Sequence, residues 1–109
     1  GEGVRQDYVK ARELFEKAAA QGNADAQFNL GRMYFIGEGV RQDYVKAREL
    51  FEKAVAQGNA SAQFALGLMY AKGYGVRQDY VKAREWFGKS CDNGNQRGCD
   101  EYRVLNNRR

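Results

Sequence analysis

Few side chains in this 109-residue chain can do covalent or acid–base chemistry, and their spacing restricts them further. Cys91 and Cys99 are the only cysteines, eight positions apart. Such a pair can form a disulfide, stay reduced in a core, or contribute to a metal site. There is no histidine and no third cysteine, so a zinc site lacks ligands and no Ser–His or Cys–His nucleophile pair can be assembled. The serines also lack a partner. An S-x-x-K motif would set a lysine beside the hydroxyl, but Ser61 is followed by Ala-Gln-Phe and Ser90 by Cys-Asp-Asn. The Gly-x-Gly pairs Gly37/Gly39 and Gly73/Gly75 have no preceding strand and no third glycine, so they read as helix stops and not as phosphate cradles. Asn59-Ala60-Ser61 fits a glycosylation sequon, although Asn59 is better placed as a helix cap. The chain is therefore expected to be no enzyme and to hold no metal or cofactor.

The remaining chemistry is charge, and it is periodic. Lys10, Glu13 and Lys17 recur as Lys46, Glu49 and Lys53, and again as Lys82, Glu85 and Lys89. Each glutamate precedes a lysine by four, a spacing that stabilises helices. The ladder reads either as a solvated, salt-bridged face or as a contact surface for a partner. The net charge of +4 invites a nucleic-acid reading, but acids and bases alternate, as in KARELFEK, where an RNA or DNA binder would carry an unbroken basic stripe. Only the tail, with Arg103, Arg108 and Arg109, is locally basic. No run of eighteen apolar residues exists to span a membrane, and neither nucleic acid nor membrane is an expected partner. The chain lacks an initiator Met, so it is expected to be a mature or excised portion of a longer precursor.

What positions these residues is a repeat. GEGVRQDYVKARELFEKA at 1–18 returns unchanged at 37–54, and the period is 36: Gly1, Gly37 and Gly73 align, as do Asp7, Asp43 and Asp79, and Phe15, Phe51 and Phe87. A period of this length marks a solenoid, whose units bury their apolar faces only against neighbours. Within a unit, Asp43 can cap a first helix, on which Tyr44, Ala47, Phe51 and Ala54 form one apolar stripe, widened by Leu50 and Val55. Gly58 then suits a left-handed turn, and Asn59 caps a second, antiparallel helix. Gln63, Phe64, Leu66, Gly67 and Tyr70 surround most of that second helix, which should lie between two others. Gly67 repeats Gly31 despite its cost in a helix interior, which predicts close helix approach there.

The segment KAAAQGNADAQFNLGRMYFIGEGVRQD from Lys17, and its second copy from Lys53, resembles the Sel-one-like repeat (SLR) family, relatives of the tetratricopeptide repeats. The likeness rests on L-G-x-M-Y followed by G-x-G-V at 36-residue spacing and spans residues 1–98. It implies an all-α superhelical solenoid whose first helices line a concave face and bind peptides or protein segments. On that basis the ladder residues, with Val9, Val45 and Val81 beside them, are the candidate contact surface. Positions that differ between otherwise identical copies also stand out: Asn29/Ala65, Arg32/Leu68 and Phe35/Ala71.

The third copy departs from the other two. Trp86 replaces Leu14 and Leu50, and Gly88 replaces Glu16 and Glu52. Tyr102, Arg103, Leu105 and Asn106 stand where L-G-x-M-Y is expected, as a terminal capping repeat requires. Trp86 is expected to fill core. Asp100 and Glu101 open the last helix, and Arg108 and Arg109 close it, in keeping with its dipole. Cys91 and Cys99 both lie in this cap. Secreted cysteine-rich members of the resembled family staple their two helices through pairs at this spacing, which implies a Cys91–Cys99 disulfide and a periplasmic or secreted location; free thiols would leave the cytoplasm open. Some of those members are linked to cell-wall fragment or β-lactam binding, one alternative function. A structural spacer, or a duplicated or engineered segment without a ligand, is another. At the other end, helix one is expected to expose apolar surface, covered by an earlier repeat or by end-to-end self-association.

The resulting expectation is one all-α domain of three 36-residue helix-turn-helix units (1–36, 37–72, and 73–109 with the cap). Helices are predicted near 7–20, 24–36, 43–56, 60–72, 79–92 and 96–107. The chain reads as a non-catalytic scaffold for a protein or peptide partner.

Overall fold

The computed structural model describes residues 2–107, with side chains from Gln6 onward; Gly1, Arg108 and Arg109, named above, lie outside the described residues. Six helices follow in order: α1 (Glu2–Ala20), α2 (Ala24–Ile36), α3 (Tyr44–Val55), α4 (Ala60–Lys72), α5 (Tyr80–Asp92) and α6 (Gln96–Asn106). Each packs chiefly on its chain neighbours, giving an elongated stack of 47 × 25 × 20 Å.

The hinge within each unit is compact because one asparagine serves both helices. After α3, Gly58 takes φ 78° and the Asn59 N–H bonds back to the Ala54 carbonyl at 3.3 Å. The Asn59 side chain then accepts from the Ala62 N–H at 2.8 Å, capping α4. Asn23 and Asn95 repeat this arrangement, accepting from Ala26 at 2.8 Å and Gly98 at 3.1 Å. Asp43 and Asp79 cap α3 and α5 through the N–H groups of Lys46 and Lys82, both at 3.0 Å.

One boundary departs from the sequence expectation. Helix α1 begins at Glu2, five residues before the predicted start, so Asp7 lies inside it although it aligns with the capping Asp43 and Asp79. The segment GEGVRQD therefore takes two conformations. At 37–43 it is a turn held by α2: the Gly37 and Glu38 N–H groups both reach the Met33 carbonyl, at 2.7 and 3.0 Å. In the same turn the Asp43 N–H reaches Tyr34 O at 2.9 Å and Gln42 Nε2 reaches Phe35 O at 2.8 Å. The first copy has no such helix before it among the described residues, so its backbone groups are satisfied by extending α1.

The core lies between helices, not at a single centre. Ala47, Phe51, Ala54, Ala62, Leu66 and Met69 form one buried cluster, and Phe64, Ala83 and Phe87 a second. Trp86 packs half-buried against the first. Between units, two equivalent helix glycines are closely packed. A Cβ on Gly31 would stand 2.8 Å from the Phe51 ring, and one on Gly67 only 2.5 Å from the Phe87 ring. Both lie where the second helix of one unit meets the first helix of the next. The approach inferred from Gly67 is thus present, and it joins units.

The Gly67→Ala variant tests this packing. The gain in helix propensity, about 1 kcal/mol, is outweighed by a ring displacement costing about 1–3 kcal/mol. Urea denaturation is expected to show a lower midpoint, partly restored by adding Phe87→Leu. A Gly67→Ala protein as stable as the parent would refute the close approach.

Candidate functional site

The turn that links successive units also shapes a recess at each junction. At the first, Arg12 of α1, Tyr34 of α2, Val40, Arg41 and Asp43 of the turn and Lys46 of α3 surround an open recess of about 480 Å³. At the second, Arg48, Tyr70, Val76, Arg77, Asp79 and Lys82 surround one of about 520 Å³. Every lining residue of the first has its counterpart 36 positions on. Lys46 Nζ lies 5.6 Å from the centre of the Tyr34 ring and Lys82 Nζ 5.4 Å from that of Tyr70, within range of a cation–π attraction. In both recesses the arginine Nε is buried without a hydrogen-bond partner, at Arg12 and at Arg48. Arg48 also donates from Nη1 to Glu52 Oε2 at 3.5 Å. The aspartate in each recess is committed to capping its helix, so three cations face one carboxylate whose Oδ1 is already accepting.

The nine residues of the ladder are all exposed. Glu13–Lys17, Glu49–Lys53 and Glu85–Lys89 sit at the spacing of a helical ion pair, yet none of these pairs closes among the described residues; the ion pairs present are Arg48–Glu52 and Arg103–Asp100. Of the three paired lysines, Lys89 lies over the Trp86 ring, at 4.5 Å; Lys46 and Lys82 of the same ladder lie over Tyr34 and Tyr70. Sequence reasoning passed over Arg41 and Arg77, because the Gly-x-Gly-Val-Arg-Gln-Asp turn was read only as a helix stop, and gave Arg12 and Arg48, on α1 and α3, no role. The signal was available in their 36-residue spacing. Of the positions where copies diverge, Arg32, Phe35, Ala65 and Leu68 meet in a separate, more apolar groove of about 340 Å³ over the second helices.

Further substitutions make the third unit a cap. In the first two units a buried glutamine ties neighbours together: Gln57 donates to Gln27 Oε1 at 3.1 Å, and Asn93 donates to Gln63 Oε1 at 2.9 Å. Cys99 occupies the next such position and forms a disulfide with Cys91, across a Cα separation of 4.5 Å. A bond between units is thus exchanged for one within a unit, contributing about 2–3 kcal/mol by loop closure. Arg103 takes the place of Gly31 and Gly67. Ser90 and Gly98 replace Ala54 and Ala62 at the helix crossing, and the buried Ser90 hydroxyl donates to the Phe87 carbonyl at 2.9 Å, so it is committed to structure. Among the described residues no group of three or more Cys, Asp or Glu side chains is arranged to hold a metal, and no helix is long and apolar enough to cross a membrane.

The family model of the Sel1 repeat matches residues 1–23, 24–59 and 60–95. Among solved structures, a Sel1 repeat protein from Oxalobacter formigenes is 32% identical with a TM-score of 0.82, covering 89% of this chain and 40% of that one. A protective antigen present in uropathogenic Escherichia coli strains and displaying an SLR fold is 44% identical with a TM-score of 0.84, over 93% of this chain and 22% of that one. Cysteine rich protein B of Helicobacter pylori, at 24% identity and a TM-score of 0.74, shares the fold over 91% of this chain and 92% of its own. The chain therefore spans less than half the length of the first two. No curated protein matches it.

At the first junction the Tyr8 hydroxyl donates to Glu38, whose carboxylate raises the phenol above its ordinary value of 10.0, first through the hydrogen bond and then through its charge. A raised folded-state value means the contact contributes below the unfolded value and is lost as pH climbs through the folded one. Following phenolate absorbance, Glu38→Gln is expected to shift one tyrosine's ionisation to lower pH. An unchanged titration curve would refute the contact.

Proposed function

The chain belongs to the Sel1 repeat family, and we propose that it is a non-catalytic scaffold that holds a peptide or protein segment along the surface of its first helices. The observation that carries this reading is repetition. An identical set of arginine, lysine and tyrosine side chains recurs at two successive junctions of a stack whose units are locked by glycine–phenylalanine contacts. A rigid, periodic surface suits an extended ligand, because little ordering of the protein opposes binding. The ladder residues Lys10, Glu13, Lys17, Lys46, Glu49, Lys53, Lys82, Glu85 and Lys89 form the outward part of that surface. The Ser90 hydroxyl is bonded to the Phe87 carbonyl and Cys91 and Cys99 are tied to each other, which supports the non-catalytic reading.

The scaffold works in an oxidising compartment, periplasmic or secreted, where the Cys91–Cys99 bond persists. Unreduced protein isolated from its native cells is expected to give no free thiol on alkylation and mass measurement; two free thiols would overturn the location.

The binding role is tested by selecting peptides from a displayed random library against the whole chain. Peptides are expected to enrich, and reversing charge at Lys53 and Lys89 together to weaken them roughly tenfold, in line with loss of about 1.4 kcal/mol of surface complementarity. A library from which nothing enriches would refute the scaffold.

A further inference from the structure

We propose that the two junction recesses are carboxylate sites, and that the segment the scaffold holds is an acidic peptide with one side-chain carboxylate seated in each. The proposal rests on the scaffold reading above and adds the ligand's chemistry. Three observations support it. Arg12, Arg41 and Lys46, and their counterparts Arg48, Arg77 and Lys82, converge on recesses holding one carboxylate each. Three cationic side chains outnumber that one carboxylate in each recess, and among the described residues only Arg48 of the six has a further acid in ion-pair range, Glu52 at 3.5 Å. The Nε donors of Arg12 and Arg48 are buried and without an acceptor, so neither guanidinium is fully satisfied within the chain.

The surroundings favour a peptide over a phosphate-rich polymer. Tyr34 and Val40, and likewise Tyr70 and Val76, give each recess an apolar wall suited to the methylene stem of Asp or Glu. Asp43 and Asp79 oppose a doubly charged phosphate more than a carboxylate. Between the recesses the surface alternates acid and base and offers no continuous basic track for a nucleic-acid backbone. The recesses recur at the same place one unit apart along the stack, so one extended chain laid across the first helices can reach both. Two weak sites so linked bind as one strong one.

The test is a fluorescence-anisotropy titration of the whole chain with a labelled Gly/Ser peptide carrying two glutamates three residues apart. The controls are the matching glutamine peptide, a single-glutamate peptide, inorganic phosphate and a short single-stranded oligonucleotide. The two-glutamate peptide is expected to bind at least tenfold tighter than the single-glutamate one, and to weaken as salt rises. R12Q/K46Q or R48Q/K82Q should each reduce it to single-glutamate affinity, and all four changes should abolish binding. R32Q/K72Q, which removes as much charge outside the recesses, should leave it unchanged; circular dichroism checks folding throughout. Equal loss in R32Q/K72Q, no preference for glutamate over glutamine, or tighter recess-dependent binding of phosphate or oligonucleotide would each overturn the proposal. The peptide selection separates the two levels. Enriched peptides that lack acids and ignore the recess variants refute the carboxylate sites while the scaffold stands. A failure to enrich any peptide refutes the scaffold itself.

Discussion

Every junction in this stack depends on a phenylalanine ring resting on a glycine backbone. Phe51 on Gly31 and Phe87 on Gly67 bring neighbouring helices closer than any residue with a side chain would permit. The glycine's own helix is weakened by about 1 kcal/mol, a loss offset by burying a ring that is almost fully removed from water. Because the contact joins units and not the two helices of one unit, no unit is complete alone. Stability in such a chain is distributed along nearest neighbours. The same contact fixes the distance between successive junction turns, and with it the spacing of the two cationic recesses.

Much of this was legible in the residues. The period set the architecture, Asp43, Asp79 and the three asparagines marked the caps, and the repeated Gly31 and Gly67 announced close approach before any coordinate was known. Five of the six helices fall within a residue of expectation. The start of α1 did not, for a physical reason: GEGVRQD has no conformation of its own. At 37–43 it is shaped by carbonyls of α2, from Met33, Tyr34 and Phe35. Among the described residues the first copy has no such helix end beside it, and residues 2–7 join α1. Local sequence identity does not fix local structure where the hydrogen-bond partners lie in another element.

The surface was read less well, and for a related reason. A helical wheel places Glu49 and Lys53 on one stripe and predicts that they pair. It has no knowledge of aromatic rings supplied by the preceding helix. In the fold, Lys46 and Lys82 lie over Tyr34 and Tyr70, and the glutamates of the ladder face solvent. The arginines that line the recesses come from a helix and from a turn, so no periodicity within one element links them. Only the 36-residue comparison does, and only when turns are compared as carefully as helices. The disulfide is the opposite case, since Gln27 Nε2 already reaches the Ala19 carbonyl at 3.3 Å, and the cysteines use a proximity the fold had made.

Arg103 has a consequence for assembly. The two ends of a solenoid are complementary by construction, so a stack of identical units is a heterologous interface that never closes, the geometry of a filament. Leading-face residues of α1 remain open here: Leu14 is 66% exposed where its counterpart Leu50 is 8%. Filament growth would require the trailing helix, α6, to receive that face as α2 and α4 receive theirs, with a ring laid on bare glycine. A guanidinium-bearing side chain, exposed and 3.9 Å from Asp100, stands at that position instead, and burying it against an apolar ring would cost its hydration. One substitution thus sets α6 apart from α2 and α4, whose glycines receive the ring of the following unit.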